Sequence, residues 1–397
     1  MIHYGRQDIN EEDIDSVVKV LRSDFLTQGP AVSNFERSVA SQVGVNHAVA
    51  LNSATSGLHV ACLAMGLGRG DRLWTVPNTF VASANCGRYC GAEIDFVDID
   101  PDTWNLSISK LKEKLFQAKK KSQLPKILVP VHFAGQPTEQ EIIWELSQEY
   151  GFKVLEDASH SIGAFRNGEA VGSCRWSHIT IFSFHPVKII TTGEGGMAVT
   201  NDGELAERMS MLRNHGITRD VTRFKDRGNI STEEQKAYPW YYEQQLLGFN
   251  YRMTDIQAIL GISQLKRLTH YVERRNLLAQ KYTKELQDLP LKLPSIQSGN
   301  LSSFHLYVVR LKGESSVLSQ LHSQVIESLR KKGIGVTLHY MPVHLQPYYR
   351  DLGFAQGQYP ESELHGKSAF SLPLYPALSD ENQTIVINAL RQVLTNG

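Results

Sequence analysis

The sequence has few cysteines, no net charge and no long apolar run, and each absence excludes a class of protein. Four cysteines among 397 residues are too few for a disulfide framework. The 41 basic and 41 acidic residues cancel, so no excess charge attracts nucleic acid or an anionic membrane. No apolar run approaches the ~20 residues of a membrane-spanning helix. The charged start MIHYGRQDINEEDID lacks the apolar centre of a signal peptide. We therefore expect a soluble, cytoplasmic, globular protein.

The cysteines also bear on metal binding. Cys86 and Cys90 are close enough in sequence to form a metal-ligand pair, but no second pair with ligand spacing accompanies them. We therefore expect all four cysteines, including Cys62 and Cys174, to be free thiols in the core, and we expect no metal site.

Short apolar segments alternate with amphipathic ones through the first half of the chain. The segments predicted as strands are HAVALNS, RLWTVP, EIDFVDID, KILVPVHFAG, KVLEDASH, ITIFSF and MAVTN. Helices are predicted between them, for example SATSGLHVACLAMGL, which begins with good capping residues. This alternation is typical of an α/β fold with a mostly parallel central sheet.

The same pattern predicts the domain organisation. An N-terminal arm with one helix (1–30) precedes a large α/β domain (31–260) and a smaller α+β C-terminal domain (261–397). A long helical segment with one break, MTDIQAILGISQLKRLTHYVERRNLLAQKYTKELQDL, links the two domains, and FHLYVVRL and VTLHYMP are predicted strands of the small one. Residues 218–245 are charged and aperiodic, which predicts a lid-like or disordered loop.

Two segments end predicted strands of the large domain with polar residues. NSATSG, Asn52 to Gly57, lies between a strand and a helix, where free N–H groups and the helix dipole bind anions. Serine and threonine at this position are more often simple helix caps. LEDASH places Asp157 at the carboxyl end of a strand, where ligands bind in open α/β sheets. Asp157 could equally cap a loop.

A third segment, FSFHPVKIITTGEGG (Phe182 to Gly196), places Lys188 among apolar residues. A solvated loop lysine with its stem on apolar neighbours is the ordinary interpretation. A partly desolvated lysine, however, has a lowered pKa, and its free amine reacts with carbonyl groups.

Taken together, the three segments match one ligand. Pyridoxal 5′-phosphate (PLP) carries a phosphate, a basic ring nitrogen and an aldehyde, and proteins bind it through a lysine and a carboxylate. The segments therefore indicate a PLP site in which the carboxylate keeps the ring nitrogen protonated, so that the ring can take up carbanion electrons.

The order of motifs along the chain resembles a known family. The motifs are LTQGP, NSATSGL, PNTFVASANCGRYCGA, DIDP, EDASHSIGA, SFHPVKIITTGEGG, LRNHG, GFNYRMTDIQAILGISQL and LHYMP. They resemble the DegT/DnrJ/EryC1/StrS family, whose members are PLP-dependent aminotransferases of nucleotide-linked keto-sugars with the type I aminotransferase fold. FLTQGP, NSATS and SFHPVKIITTGEGG are most similar to the 4-aminotransferases of pseudaminic acid biosynthesis.

The resemblance implies roles in the cofactor site. Lys188 would bind PLP as a Schiff base and then carry a proton between the cofactor and the sugar C4. Asp157 would pair with the pyridine nitrogen, and His160, which stands where many members have glutamine, with the ring hydroxyl. The other implied contacts are Phe80 on the ring face, and Ala54, Thr55 and Ser183 at the phosphate. Asn250 would reach the phosphate in the neighbouring subunit, which implies a homodimer with shared active sites.

The substrate contacts rest on the resemblance alone. They are Tyr4, Asp24, Phe25, Leu26, Thr27, Ala54, Ser183, Asn250, Thr337, Leu338, His339 and Tyr340. Tyr4 could equally be a surface aromatic residue, and His339 a core histidine. Arg252 is a candidate for the diphosphate or the donor's carboxylate, although a structural ion pair explains it as well. The aromatic stretch Trp240–Tyr242 is a candidate for closing over the sugar.

The implied reaction is a ping-pong transfer of the amino group of L-glutamate to C4 of a UDP-linked 4-keto-6-deoxy-N-acetyl-hexosamine. The nearest alternative is another 4-keto or 3-keto nucleotide sugar, dTDP- or GDP-linked, used for lipopolysaccharide or antibiotic sugars. A PLP-dependent sugar dehydratase typically has histidine at the lysine position, and a non-catalytic PLP-binding protein does not need a proton-carrying amine. Lys188 therefore argues against both of these other classes.

Overall fold

The computed structural model describes residues 1–225 and 240–395. Its strands, numbered in chain order, are β1 (His47–Leu51), β2 (Arg72–Thr75), β3 (Glu93–Phe96), β4 (Ile127–Leu128), β5 (Lys153–Asp157), β6 (Phe165–Arg166), β7 (Glu169–Ala170), β8 (Ile179–Ser183), β9 (Gly196–Thr200), β10 (Ile217–Thr218), β11 (Glu243–Gln244), β12 (Leu291–Lys292), β13 (Asn300–Leu301), β14 (Tyr307–Leu311) and β15 (Ala369–Leu372).

The helices of the described residues are numbered in the same way. They are α1 (Glu11–Leu21), α2 (Pro30–Val43), α3 (Ala54–Ala64), α4 (Ala82–Tyr89), α5 (Ile108–Lys120), α6 (Gln140–Tyr150), α7 (Gly203–Arg213), α8 (Asp255–Leu265), α9 (Leu268–Leu286), α10 (Ser315–Lys331), α11 (Pro347–Arg350), α12 (Pro360–Ser368) and α13 (Asp380–Thr395). Short 3-10 turns lie at Phe133–Gly135, Val221–Arg223 and Val343–Leu345.

A seven-stranded sheet with the order β1-β9-β8-β5-β4-β2-β3 forms the centre of the protein. The strands from β8 to β3 are parallel, whereas β9 is antiparallel to both of its neighbours, β8 and β1. Every residue of β8 and of β9 is buried, which explains their continuous apolar sequences. The predicted α/β fold with a mostly parallel sheet is confirmed.

Helices cover both faces of this sheet. On β8, Ile181 belongs to the core shared with α3, α4 and α7, whereas Phe182 belongs to the core shared with α2 and α8. This alternation follows from the two-residue period of a strand. The sheet is therefore buried on both sides, and its strand ends are where polar side chains can converge.

Helix α2 was missed by the sequence analysis, which predicted no helix between residues 30 and 46. It begins with Pro30 in its first turn and ends at Gly44, which adopts a left-handed conformation with φ of 72°. Proline at a helix start and glycine just after its end are the ordinary boundary signals, and both are present in the sequence.

Two predicted strands differ in the structure. In KILVPVHFAG only Ile127–Leu128 is a strand, because Pro130 has no N–H to donate to the ladder. The prediction that VTLHYMP is a strand is wrong, since only Thr337 bridges to Ser371 of β15. The Tyr340 N–H donates instead to the side chain of Asn78, which draws this segment towards the central sheet.

The C-terminal part contains the predicted helix break, which lies between α8 and α9. A three-stranded antiparallel sheet, β12-β14-β15, packs with α9, α10 and α13 around a separate apolar cluster that includes Tyr282, Val309 and Leu390. That residues 261–397 form a domain of their own stays a prediction.

Candidate active site

A cavity of about 780 Å³ opens where β5 and β8 end and α3 begins. Its described lining consists of Tyr4, Asn52, Ser53, Ala54, Thr55, Ser56, Leu58, Thr79, Phe80, Ala82, Val131, Asp157, Ser159, His160, Ser183, His185, Val187, Lys188, Glu194, Gln257, His305, His339 and Tyr340. The three segments singled out in the sequence therefore meet at one place, at the carboxyl ends of the strands, as expected for an open α/β sheet.

One end of the cavity is built by the start of α3. Ser53 caps the helix by accepting a hydrogen bond from the N–H of Ser56 at 3.1 Å, and the Ser56 hydroxyl donates to Asn52 at 2.6 Å. Ala54 and Thr55 follow the cap, so their N–H groups have no acceptor within the helix, and both residues line the cavity. An anion fits this end.

Gly196, the first residue of β9, allows this arrangement. A side-chain carbon at that position would lie 2.5 Å from the backbone of Ser53 and of Ala54. Only glycine permits β9 to lie this close to the start of α3. The glycine cluster after Lys188 therefore makes room for the anion-binding end of the cavity.

Asp157, the last residue of β5, is 5% exposed and has a fixed orientation. The Ser83 hydroxyl donates to its Oδ2 at 2.6 Å, and the N–H of Ser159 donates to its Oδ1 at 3.1 Å. Thr79 lies 2.7 Å behind Ser83, hydroxyl to hydroxyl. The carboxylate keeps further acceptor positions for a ligand, because each oxygen accepts only one of these bonds.

Lys188 lies in the turn after β8, with its side chain partly buried in the cavity wall. Its backbone N–H donates to His185, but within the described ranges its amine has no hydrogen-bond or ion-pair partner. Burial lowers the pKa of Lys188 to about 8, against the opposing effect of the Asp157 charge. A lysine of this kind is a neutral amine in part of the molecules near neutral pH.

His160 is 5% exposed and accepts a hydrogen bond on Nδ1 from the N–H of Ala134 at 3.2 Å. Burial, with the positive charge of Lys188, lowers the pKa of His160 well below its usual value. The neutral ring therefore carries its proton on Nε2, which lies 3.1 Å from the Tyr340 hydroxyl. His160 can donate to a ligand from this nitrogen, as a glutamine amide would.

His339 lies beside this pair. Its Nδ1 is 2.8 Å from the Ser371 hydroxyl, and its ring contacts Tyr4 with centroids 5.4 Å apart. Burial lowers the pKa of His339 to about 3, and burial raises the pKa of Tyr340. Both side chains are therefore neutral over the physiological range of pH.

Some predicted site residues do not line the cavity. Of the described residues, Asp24, Phe25, Leu26, Thr27, Asn250, Arg252, Thr337 and Leu338 lie outside its wall. The 24–27 turn is exposed and bridges from Thr27 to Thr254. Asn250 is exposed next to Tyr251, whose carbonyl accepts the N–H of Asn52 at 2.9 Å.

Arg252 donates to the side chain of Asn214 at 2.6 Å, which is an internal contact rather than an ion pair. Of the predicted lid, residues 226–239 lie outside the described residues. Trp240 and Tyr242 are 70% and 49% exposed and do not contribute to the cavity wall.

The sequence analysis missed Ser83, Thr79, His305, Glu194 and Gln257. Ser83 and Thr79 lie in NTFVAS, on either side of Phe80, and two hydroxyls four residues apart at a strand-to-helix junction were their only signal. His305 lies inside the predicted strand FHLYVVRL, and nothing local distinguishes it from a core residue.

The described residues contain no cluster of side chains that could hold a metal ion. Cys62, Cys86 and Cys174 are buried free thiols, whereas Cys90 is only partly buried, which corrects the expectation for that residue. Within the described ranges no helix is long and apolar enough to cross a membrane.

The chemistry of the cavity fits PLP. The Lys188 amine, which has no partner among the described residues, can condense with an aldehyde, and the start of α3 can bind a phosphate. Asp157 can accept a hydrogen bond from a protonated ring nitrogen. The three groups lie in one wall, so a single ligand can contact all of them.

Known proteins resemble this chain along its whole length. Residues 7–391 match the profile described as DegT/DnrJ/EryC1/StrS aminotransferase family. The chain is 36% identical over 390 residues to the spore coat polysaccharide biosynthesis protein SpsC of Bacillus subtilis, covering 97% of this chain and 95% of the relative. It is 35% identical over 395 residues to the UDP-4-amino-4,6-dideoxy-N-acetyl-beta-L-altrosamine transaminase of Campylobacter jejuni, covering 99% and 98%.

The fold of this chain is similar to that of a solved aminotransferase structure. PseC of Helicobacter pylori, described as an aminotransferase involved in the biosynthesis of pseudoaminic acid, superimposes with a TM-score of 0.88 at 29% identity, and the match covers 100% of both chains.

Proposed function

Because the chain belongs to the DegT/DnrJ/EryC1/StrS aminotransferase family, we propose that it transfers the amino group of L-glutamate to C4 of a UDP-linked 4-keto-6-deoxy-N-acetyl-hexosamine. The protein is a sugar aminotransferase with the type I aminotransferase fold, as the sequence predicted, and it uses PLP. The named Campylobacter jejuni relative supports the finer proposal, because its name specifies a UDP-linked sugar with an amino group at C4.

Lys188 is the observation that carries the proposal. Burial lowers its pKa to about 8, and its amine faces the cavity without a partner among the described residues. Burial also lowers the pKa of the four histidines of the wall, His160, His185, His305 and His339, so each of them binds a proton less readily than an ordinary histidine. A proton donor and acceptor near pH 8 suits general acid–base catalysis.

The other cavity residues would bind and orient the cofactor. Ala54, Thr55 and Ser183 would bind the phosphate, and Phe80 would cover the ring face. Asp157 would hold a proton on the ring nitrogen, with its orientation fixed by Ser83. When bound, PLP supplies the electron sink that stabilises a carbanion at the reacting carbon. His160 would donate its Nε2 proton to the ring hydroxyl.

Lys188 would act in both halves of the reaction. Its amine would hold the cofactor through the aldehyde carbon and would be free once the amino donor is bound. The free amine would then remove the proton from the donor's α carbon and would later deliver a proton to C4 of the sugar. This role requires an amine that is neutral in part of the molecules at working pH, as a pKa of about 8 provides.

A visible spectrum tests the activity. The purified protein should show a band near ~420 nm that converts towards ~330 nm on addition of L-glutamate. Lys188→Ala should lack this conversion, whereas Lys266→Ala, which removes an exposed lysine paired with Glu12, should behave as wild type. A wild-type protein without the band, or a Lys188→Ala protein with an unchanged spectrum, would contradict the assignment.

A substrate panel tests the sugar. The glutamate-loaded protein should aminate a UDP-linked 4-keto-6-deoxy-N-acetyl-hexosamine faster than dTDP- or GDP-linked 4-keto or 3-keto sugars, followed with ¹⁵N-labelled glutamate. Amination of a dTDP-linked sugar alone would show that the proposed nucleotide is wrong while leaving the aminotransferase activity intact.

We also propose a cytoplasmic homodimer with shared active sites. Asn250 and the 24–27 turn are exposed, and Phe25 and Leu26 present apolar side chains that are 52% and 48% exposed. These residues would contact the second subunit, and Asn250 would reach its cofactor phosphate. Mixing Lys188→Ala with Asn250→Ala subunits should restore part of the activity, since one site of the mixed dimer would be intact. Mixed dimers that form but stay inactive would refute the shared site.

A further inference from the structure

His305 is a cavity residue whose side chain has no partner in the protein. It is 4% exposed, and its buried Nδ1 has no hydrogen bond. Within residues 1–225 and 240–395, neither ring nitrogen of His305 contacts a donor or acceptor. A buried polar group without a partner costs free energy, and at His305 the adjoining cavity offers an explanation, namely a bound ligand.

The backbone around His305 is held rigidly. The buried Arg275 of α9 donates through one nitrogen to the carbonyl oxygens of Phe304 and His305, both at 3.2 Å. Gly135 packs against this turn so closely that a side-chain carbon there would lie 2.7 Å from the N–H of Phe304. The Ser303 hydroxyl donates to the carbonyl of His160 at 2.9 Å.

The ring itself is also held in place. It packs on the ring of His160 with centroids 4.4 Å apart. Since His160 is tied to Ala134 and Tyr340, the His305 ring has a fixed neighbour on one face and the cavity beyond it. Several contacts therefore fix the position of an imidazole that forms no hydrogen bond with the described residues.

The charge state of His305 limits what it can bind. Burial, with the nearby positive charge of Lys188, lowers its pKa well below the usual value, so the ring is neutral. A neutral imidazole offers one donor and one acceptor. A carboxylate or a phosphate can use only the donor, whereas a hydroxyl group can use either nitrogen. The ring therefore matches a hydroxyl better than an anion.

We propose that His305 is a specificity residue that hydrogen-bonds the hydroxyl group on the carbon next to the one that is aminated. The inference rests on the proposed function, because in a 4-keto-6-deoxy-hexosamine the neighbours of C4 are C3, which carries a hydroxyl, and C5, which carries the methyl group. C3 is therefore the carbon whose hydroxyl His305 contacts, while Lys188 moves the proton at C4.

The two halves of the reaction provide the test. His305→Phe keeps an aromatic ring against His160 but removes both nitrogens. It should lower kcat/KM for the keto-sugar by ~10- to 100-fold, as expected when a buried hydrogen-bonding group is lost. The rate of the half-reaction with L-glutamate should not change, because the donor has no such hydroxyl. His305→Gln, which offers a donor and an acceptor again, should recover part of the loss.

A deoxy substrate separates this role from a structural one. The same sugar nucleotide lacking the C3 hydroxyl should react slowly with the wild type and no more slowly with His305→Phe. Equal losses on both sugars, or equal losses in both half-reactions, would overturn the proposal and indicate a structural or cofactor-directed role. No loss on the hydroxylated sugar would also overturn it.

Binding without turnover gives a second readout. In a Lys188→Ala background, calorimetric titration with the keto-sugar nucleotide should give a dissociation constant ~10-fold higher when His305→Phe is added. His270→Phe makes the same replacement at an exposed position of α9 and serves as the control for expression, melting temperature and both rates. A wild type that fails with glutamate would refute the aminotransferase proposal itself, which is a different outcome from a failure of His305 variants alone.

Discussion

The depressed pKa of Lys188 can be measured directly on the protein without its cofactor. With an ordinary lysine pKa near 10.5, about one amine in a thousand is neutral at pH 7.5. With a pKa of about 8, as burial produces here, the fraction is about one quarter. The structure therefore predicts that Lys188 is roughly 200-fold richer in nucleophilic amine than a solvated lysine at that pH.

The assay is competitive labelling with a trace of acetic anhydride. Samples between pH 6 and 11 are labelled together with N-α-acetyl-lysine as the internal reference, and the peptide that contains Lys188 is quantified by mass spectrometry. Its labelling should rise with a midpoint near pH 8. The reference should rise near its ordinary pKa of ~10.4.

Asp157→Asn sharpens this test. The Asp157 charge raises the pKa of Lys188, so removing the charge should move the midpoint of labelling further below pH 8. A wild-type midpoint at pH 10 or above would refute the argument from burial. A midpoint that rises in the variant would refute the assigned effect of the carboxylate.

Three further predictions concern stability and cofactor binding. In the cofactor-free protein, the pKa of Lys188 is about 8 in the folded state and ~10.5 in the unfolded state. Protonation of Lys188 therefore favours the unfolded state. This destabilisation of the fold is complete below pH 8 and disappears as the pH rises from 8 to ~10.5. Lys188→Met should therefore raise the free energy of unfolding by about 3 kcal/mol more at pH 7 than at pH 10.5, in urea titrations of variant and wild type; equal differences at both pH values would contradict this. Ser83→Ala removes the 2.6 Å bond to Asp157 and should weaken PLP binding by ~10-fold in fluorescence titrations, and an unchanged affinity would show that Ser83 does not orient the carboxylate. His160→Gln keeps a donor and should retain activity within ~10-fold, whereas His160→Leu should lose more; equal losses would argue against a donated hydrogen bond.

Local sequence patterns were sufficient to predict several residues of the candidate site. Lys188 was found because it follows the buried run of β8, and Asp157 because it ends β5. Ser53 and its neighbours were recognised because a helix start offers free N–H groups wherever it lies in a fold. Each of these inferences depends on a strand end or a helix end, and these are visible along the chain.

Contacts between distant segments were not visible in this way. Ser83 bonds Asp157 across 74 positions, and His305 packs on His160 across 145 positions of the sequence, so neither contact leaves a periodic signal. The VTLHYMP segment has the composition of a strand, but the side chain of Asn78, in the loop after β2, accepts a hydrogen bond from its backbone where a neighbouring strand was expected. Tertiary contacts of this kind override local propensity.

The close packing at Gly196 limits where this protein can be recombined with its relatives to form chimaeras. Because it lies against the backbone of Ser53 and Ala54, the segment that carries the lysine and the segment that starts α3 share one interface without side chains between them. A crossover placed between residues 57 and 182 would bring together two halves whose backbones were shaped in different proteins. Chimaeras that inherit NSATSG and FSFHPVKIITTGEGG from the same parent should keep the anion-binding end of the cavity. Chimaeras that mix the parents should bind the cofactor phosphate more weakly even where they still fold.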